Sequence, residues 1–132
     1  MNHELLEMCK KEINEQLKNR IISSSKSHWS CPVFYVNKNT ELIWGVLWLV
    51  INYKPLNKVL EWIRYPISYK KKDLIKRLSQ AVIFSKFDLK SGFWQIQIHP
   101  KHRYKTAFTT PLGHYEWNVV PFGLKNAHSE FQ

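Results

Sequence analysis

Leu5, Met8 or Cys9, Ile13 and Leu17 recur at near-helical spacing among charged residues, which predicts an amphipathic helix over 3–18. The serine-rich stretch 23–27 reads as a short polar linker. Cys31-Pro-Val-Phe-Tyr-Val36 reads as a strand and 37–40 as a turn. Residues 42–53, rich in β-branched and aromatic types, return as the second strand of a hairpin, and Pro55 and Asn57 then break it. Leu74, Ile75 and Leu78 lie on one side of a short predicted helix over 70–80. Residues 81–88 form an apolar run that predicts a buried strand ending on an acid, Asp88. Behind it, Trp94, Ile96 and Ile98 alternate with Gln95 and Gln97, a pattern with one buried side. Segments 105–110 and 114–120 flank Pro111-Leu-Gly113 and predict a hairpin with a three-residue turn. Residues 126–132 open a helix with Asn126 as its cap. The expected class is α+β, a piece of a larger domain that ends in mid-helix.

Composition narrows the options. Hydrophobic content of 44% and aromatic content of 14% exclude a disordered chain. No 18-residue apolar stretch exists, so no membrane span is expected. The charged start at Met1 does not read as a secretory signal. Cys9 and Cys31 have no metal-ligand spacing and make no disulfide framework, which predicts a reducing intracellular setting, cytoplasmic or nuclear. Charge is uneven. Residues 54–105 hold 13 Lys or Arg against Glu61, Asp73 and Asp88, so the whole net charge of +10 sits in mid-chain. Such a surface suits a polyphosphate partner, although a generic soluble basic face is the bland alternative.

Asp88 carries the sharpest chemistry. A carboxylate buried at the end of a β-type run costs several kcal/mol unless it is paired, hydrogen-bonded or on a metal. It is either an acid capping the turn after a strand or a ligand. The six histidines show no metal-ligand spacing, and His114, after a turn glycine, reads as structural. No Ser-His-Asp or Cys-His arrangement and no glycine-rich phosphate loop can be argued.

Seven segments in series resemble one family. They are Ser30-Cys-Pro-Val-Phe-Tyr-Val36, residues 49–57, Arg64-Tyr-Pro66, Phe84-Ser-Lys-Phe-Asp-Leu-Lys-Ser-Gly92, Lys105-Thr-Ala-Phe108, Gly113-His-Tyr-Glu116 and Pro121-Phe-Gly-Leu-Lys-Asn-Ala127. Together they are similar to the fingers and first half of the palm of a reverse transcriptase. The type resembles gypsy-like retrotransposons and, more closely, plant pararetroviruses (caulimovirids), which Phe93-Trp-Gln95 and Tyr115-Glu-Trp-Asn118 favour. The implied fold is a partial right-hand polymerase. Residues 1–22 would form a helix leading into the fingers, 23–80 the fingers and 81–132 the partial palm. The implied activity is template-directed addition of deoxynucleoside triphosphates to a primer on RNA or DNA, with two Mg²⁺ ions.

The resemblance also implies residue roles. Asp88 would be the first of three metal-holding aspartates, with the Leu89 carbonyl beside it on the metal. Phe93 would be the steric gate that rejects a ribose 2′-hydroxyl. By spacing alone it would read as a core aromatic. Lys38 would contact the triphosphate. Phe122 and Gly123 would line the nucleotide and template, and Lys54 and Asn57 would touch the template strand. The other two acids belong to a Tyr-x-Asp-Asp hairpin downstream of the Pro-Phe-Gly-Leu segment. The sequence stops before it at Gln132, and its only other aspartate is Asp73. The chain alone is therefore expected to be inactive.

Departures from the family pattern point toward decay. Trp48 stands where the family grips the triphosphate with an arginine, and indole offers one N–H and no charge. Val46 and Leu47 replace basic residues, and His28, Ser68 and His128 stand where prolines are usual. Two rival expectations stay open: a basic nucleic-acid-binding module without catalysis, and a non-functional relic of an endogenous viral element.

Overall fold

The computed structural model describes residues 3–37, 47–63 and 71–131. Its elements run α1 (His3–Lys18), β1 (Ile22–Ser24), β2 (Cys31–Asn37), β3 (Leu47–Ile51), α2 (Lys54–Val59), α3 (Lys71–Leu78), two 3-10 segments (Gly92–Gln95 and Pro100–Thr106), β4 (Phe108–Thr110), β5 (Gly113–Trp117) and α4 (Ala127–Phe131). The class is α+β, as the pattern predicted.

One five-stranded sheet, in the order β1-β5-β4-β2-β3, organises the chain. Strands β2 and β3 pair antiparallel with Phe34 opposite Val50, whereas β2 and β4 run parallel with Cys31 opposite Phe108. Helix α1 buries Cys9, Ile13 and Gln16, one residue per turn, and the first two join Ile22, Cys31, Tyr53, Leu56, Phe108 and Trp117 in a single core. Its end is specific. Arg20 adopts a left-handed φ of 56°, the Arg20 amide donates to Leu17 O (3.1 Å) and the Ile21 amide to Gln16 O (2.9 Å). This pair of bonds is a Schellman closure, which turns the chain directly into β1. No helix among the described residues is long and apolar enough to cross a membrane.

Several elements differ from the sequence expectation. The polar stretch 23–27 is not simply a linker, because Ile22–Ser24 is an edge strand paired with residues 115–117. Pro55 does not end order: it occupies the first turn of α2, where a missing N–H is harmless. The hairpin turn holds two residues, since Thr110 and Gly113 are already paired, and Lys105 belongs to a 3-10 segment rather than a strand. Asn126 is not a side-chain cap. Its amide nitrogen donates to Glu61 O (2.7 Å) and its oxygen accepts from the Ile63 amide (3.2 Å).

The largest correction concerns 81–88. These residues form no strand and are exposed, with Val82 at 92% and Ile83 at 87% of full accessibility. A β-former becomes a strand only beside a neighbour that accepts its ladder, and among the described residues none pairs with this run. The apolar face of α3 (Leu74, Ile75, Leu78) is exposed as well. Of the predicted turn at 37–40, Asn37 belongs to β2 and 38–40 lie outside the described residues, as do 42–46 of the predicted strand 42–53. The alternation at 94–98 separates half-buried Trp94, Ile96 and Ile98 from exposed Gln95 and Gln97; Gln97 bridges Val119, and the Ile98 and Val120 amides donate to Asn118 O and Ile96 O.

Candidate nucleotide cleft

The chain leaves the exposed run 82–89 through Ser91, whose φ of 51° turns it into the 3-10 segment 92–95. The Trp94 amide donates to Ser91 O (3.0 Å) and the Ile96 amide to Phe93 O (3.1 Å), so the turn is closed by its own backbone. It projects Phe93 into a ring cluster with Phe122 (centroids 5.3 Å apart), His128 (5.0 Å) and Phe131 (5.7 Å), the last two edge-on. Helix α4 can lie this close because residue 92 is glycine. A Cβ there would stand 2.9 Å from Phe131 Cζ.

These residues wall an open cleft of about 330 Å³, lined by Phe87, Asp88, Leu89, Gly92, Phe93, Phe122 and Phe131. Asp88 is exposed rather than buried, so no desolvation cost has to be offset. Among the described residues its carboxylate has no hydrogen-bond or ion-pair partner. Four residues named from the sequence (Asp88, Leu89, Phe93 and Phe122) thus meet in one place. Phe87 and Phe131 were not singled out. A hint lay in the helical spacing of His128 and Phe131, which puts both on one face of α4.

A second cluster joins the remaining candidates. Asn57 Nδ2 donates to Gly123 O (2.8 Å), and Asn57 Oδ1 accepts from the Lys125 amide (2.8 Å). Gly123 holds a φ of 91°, a conformation that a side chain would strain. Lys125 Nζ donates to Leu60 O (3.2 Å) at the end of α2 and lies 5.3 Å from the Trp62 ring centre. Lys54 stands exposed at the first position of the same helix. Lys38 lies outside the described residues, as does the side chain of Trp48.

The chain is thus an α+β fold in which an open cleft, outside the five-stranded sheet, gathers one acid and an aromatic cluster. Residues 2–132 match the family model described as reverse transcriptase (RNA-dependent DNA polymerase), and the chain belongs to that family. It is 52% identical over 132 residues to the genome polyprotein of petunia vein clearing virus (isolate Hohn), covering 100% of this chain and 6% of that protein. It is 47% identical over 122 residues to the enzymatic polyprotein of cauliflower mosaic virus (strain Strasbourg), covering 92% of this chain and 18% of that protein. The chain therefore spans a small part of these relatives, which are caulimovirid polyproteins as the motifs implied. The fold matches a prototype foamy virus protease-reverse transcriptase mutant with a TM-score of 0.76 at 24% identity, over 99% of this chain and 17% of that one. A foamy viral protease-reverse transcriptase in complex with an RNA/DNA hybrid matches with a TM-score of 0.76 at 21% identity, over 99% of this chain and 17% of that one.

Proposed function

We propose that this chain contributes the nucleotide-facing wall of an RNA-directed DNA polymerase, with Asp88 as its first metal-holding acid. The reading rests on one observation: Asp88, Leu89, Phe93 and Phe122 line the same cleft. In this reading residues 1–22 lead into the fingers, 23–80 form the fingers and 81–132 form part of the palm.

The donors suit magnesium in kind. Asp88 and the Leu89 carbonyl are hard oxygen ligands at an open edge, and Mg²⁺ prefers one or two carboxylates completed by water and substrate phosphates. They are insufficient in number, because among the described residues no three potential metal-binding side chains gather. When bound, Mg²⁺ would supply charge neutralisation at the reacting phosphorus. The chain's own residues orient and exclude. Phe93, buttressed edge-on by His128 and Phe131, would lie under the sugar and reject a 2′-hydroxyl. Phe122 would face the incoming nucleotide, and Lys38 would meet its triphosphate. Asn57 would hold the Gly123 turn against the template, with the Lys54 ammonium on a template phosphate. Foamy viral relatives of this fold were solved with double-stranded DNA and with an RNA/DNA hybrid, which supports a template-primer as partner.

One carboxylate cannot neutralise and space two divalent ions, so the 132-residue polypeptide alone should not polymerise DNA. A primer-extension assay tests this: Mg²⁺-dependent product that disappears in Asp88→Ala would overturn it. The metal role has its own readout. Mn²⁺ added to isotope-labelled protein should broaden amide signals of 88–93 in the wild type and not in Asp88→Ala; sharp signals in both would remove Asp88 from the metal site. A second reading, nucleic-acid binding without chemistry, is favoured by the confinement of the net +10 to residues 54–105. Binding that ignores salt concentration would exclude it.

A further inference from the structure

The surface formed by residues 25–30 and 101–105 shares no residue with the cleft. Two large rings stand partly exposed on it, Trp29 at 40% and Tyr104 at 42% of full accessibility, with centroids 6.5 Å apart and planes at 73°. Both are held from behind by backbone. The Trp29 amide donates to Ser27 Oγ (3.0 Å), and Ser27 Oγ donates to Tyr104 O (2.8 Å). On the other side the His114 imidazole meets Trp29 O (3.0 Å), and Ser30 Oγ pairs with Thr109 Oγ1 (2.6 Å). These bonds fix the backbone beneath the rings, and the edge-on contact between the rings narrows their orientations, so less freedom is lost when something stacks on them.

Charge supplies the second, independent observation. Residues 25–30 and 99–110 contain Lys26, Lys101, Arg103 and Lys105, with His28, His99 and His102, and not one Asp or Glu. Lys105 Nζ lies 5.9 Å over the Tyr104 ring, so cation and aromatic face present together. Arg103 is turned inward, donating to Ile98 O (2.9 Å) and Asn118 Oδ1 (3.3 Å), which leaves exposed Lys26 and Lys101 and half-exposed Lys105 as the charges of this surface. The acid at the border, Glu116, accepts from Ser25 Oγ (2.7 Å). Exposed rings among cations that have no acidic partner among the described residues match what a single strand offers, unstacked base faces and a phosphate at each step. A duplex hides its base faces, and an acidic peptide would use the lysines but leave the rings idle.

We propose that Trp29 and Tyr104, flanked by Lys26, Lys101 and Lys105, form a stacking platform for single-stranded nucleic acid, separate from the cleft and independent of Asp88. It reads base faces and phosphates and makes no use of the sugar. Fluorescence anisotropy of the purified chain with a labelled oligothymidylate tests this, with an oligouridylate and a duplex as further arms. Both single strands should bind alike, and the duplex should bind less tightly. Trp29→Ala and Tyr104→Ala should each weaken single-strand binding about tenfold, while Trp29→Phe keeps most of it. Lys101→Gln and Lys105→Gln should each flatten the slope of log affinity against log salt by about 0.7. Unchanged binding in both ring variants, with melting curves showing that they fold, would overturn the platform. So would equal affinity for the duplex. If Phe122→Ala abolishes binding while Trp29→Ala does not, the strand lies in the cleft; the platform fails and the polymerase reading survives.

Discussion

Two phenylalanines, Phe108 and Phe87, sit in runs of similar β-forming character, and they end in opposite environments. Phe108 is fully buried in β4, with the Tyr115 and Trp117 rings each 5.9 Å away. Phe87 is 88% exposed on a run without a pairing strand among the described residues. The difference is one of neighbours, not of residue type. Strand β4 is flanked by β2 and β5, and α1 supplies the Cys9 and Ile13 side chains of the core. The run 81–89 carries the cleft's acid on a segment that no strand pairs with among the described residues. The core thus sets the fold, while the acid proposed to hold metal stands on that run.

The comparison can be broken most forcefully at its buried pole. Phe108→Ala should cost about 3–5 kcal/mol, enough to remove cooperative unfolding in a urea titration. A near-native midpoint would mean that the core is elsewhere. Next, Asn57→Ala should cost about 1–3 kcal/mol by removing two hydrogen bonds, to the Gly123 carbonyl and from the Lys125 amide, at about 0.5–1.5 kcal/mol each, read from the same titration. Gly123→Ala should cost about 1–2 kcal/mol through its left-handed backbone alone, because the added methyl would find only ordinary contact with Tyr53 at 3.8 Å.

Smaller effects sharpen the exposed side. Burial, with the charge of Glu15 adding repulsion, holds the Glu12 carboxyl above its ordinary range. The folded state then binds the proton more tightly than the unfolded one. Stability from this group is complete below the ordinary carboxylate range and falls as pH rises through the raised folded value. Glu12→Gln should therefore raise the thermal midpoint at neutral pH and flatten its decline from acid. A parallel shift at all pH values would contradict this. Least of all, Phe87→Ser should change stability by no more than about 0.5 kcal/mol while improving solubility, measured by melting and by light scattering. A loss as large as that of Phe108→Ala would show that the run is packed in solution.

Legibility in the sequence followed the range of the forces involved. Helix α1 was readable because its period of burial is local, and β2 because its residue types suit a pleated surface. Strand β1 was missed because a serine-rich segment of three residues becomes a strand only through residues 115–117 of β5. Helix α2 was missed because Pro55 reads as a breaker until it is seen to occupy a first turn. At the cleft, Asp88, Leu89, Phe93 and Phe122 were legible through motif resemblance. Phe87 and Phe131 were not, since lining the same space depends on how α4 settles over Gly92.

The order of residues alone determined the family, the α+β class, the concentration of positive charge in mid-chain and the nearness of Asp88 to the Phe93 ring in the chain. Only the tertiary structure decided that this acid is exposed, that the apolar run before it pairs with no strand among the described residues, and that Asn57 is bonded to Gly123 rather than free. Composition and spacing record what each segment prefers. Burial and pairing require two segments to meet, and that meeting is a property of the folded whole.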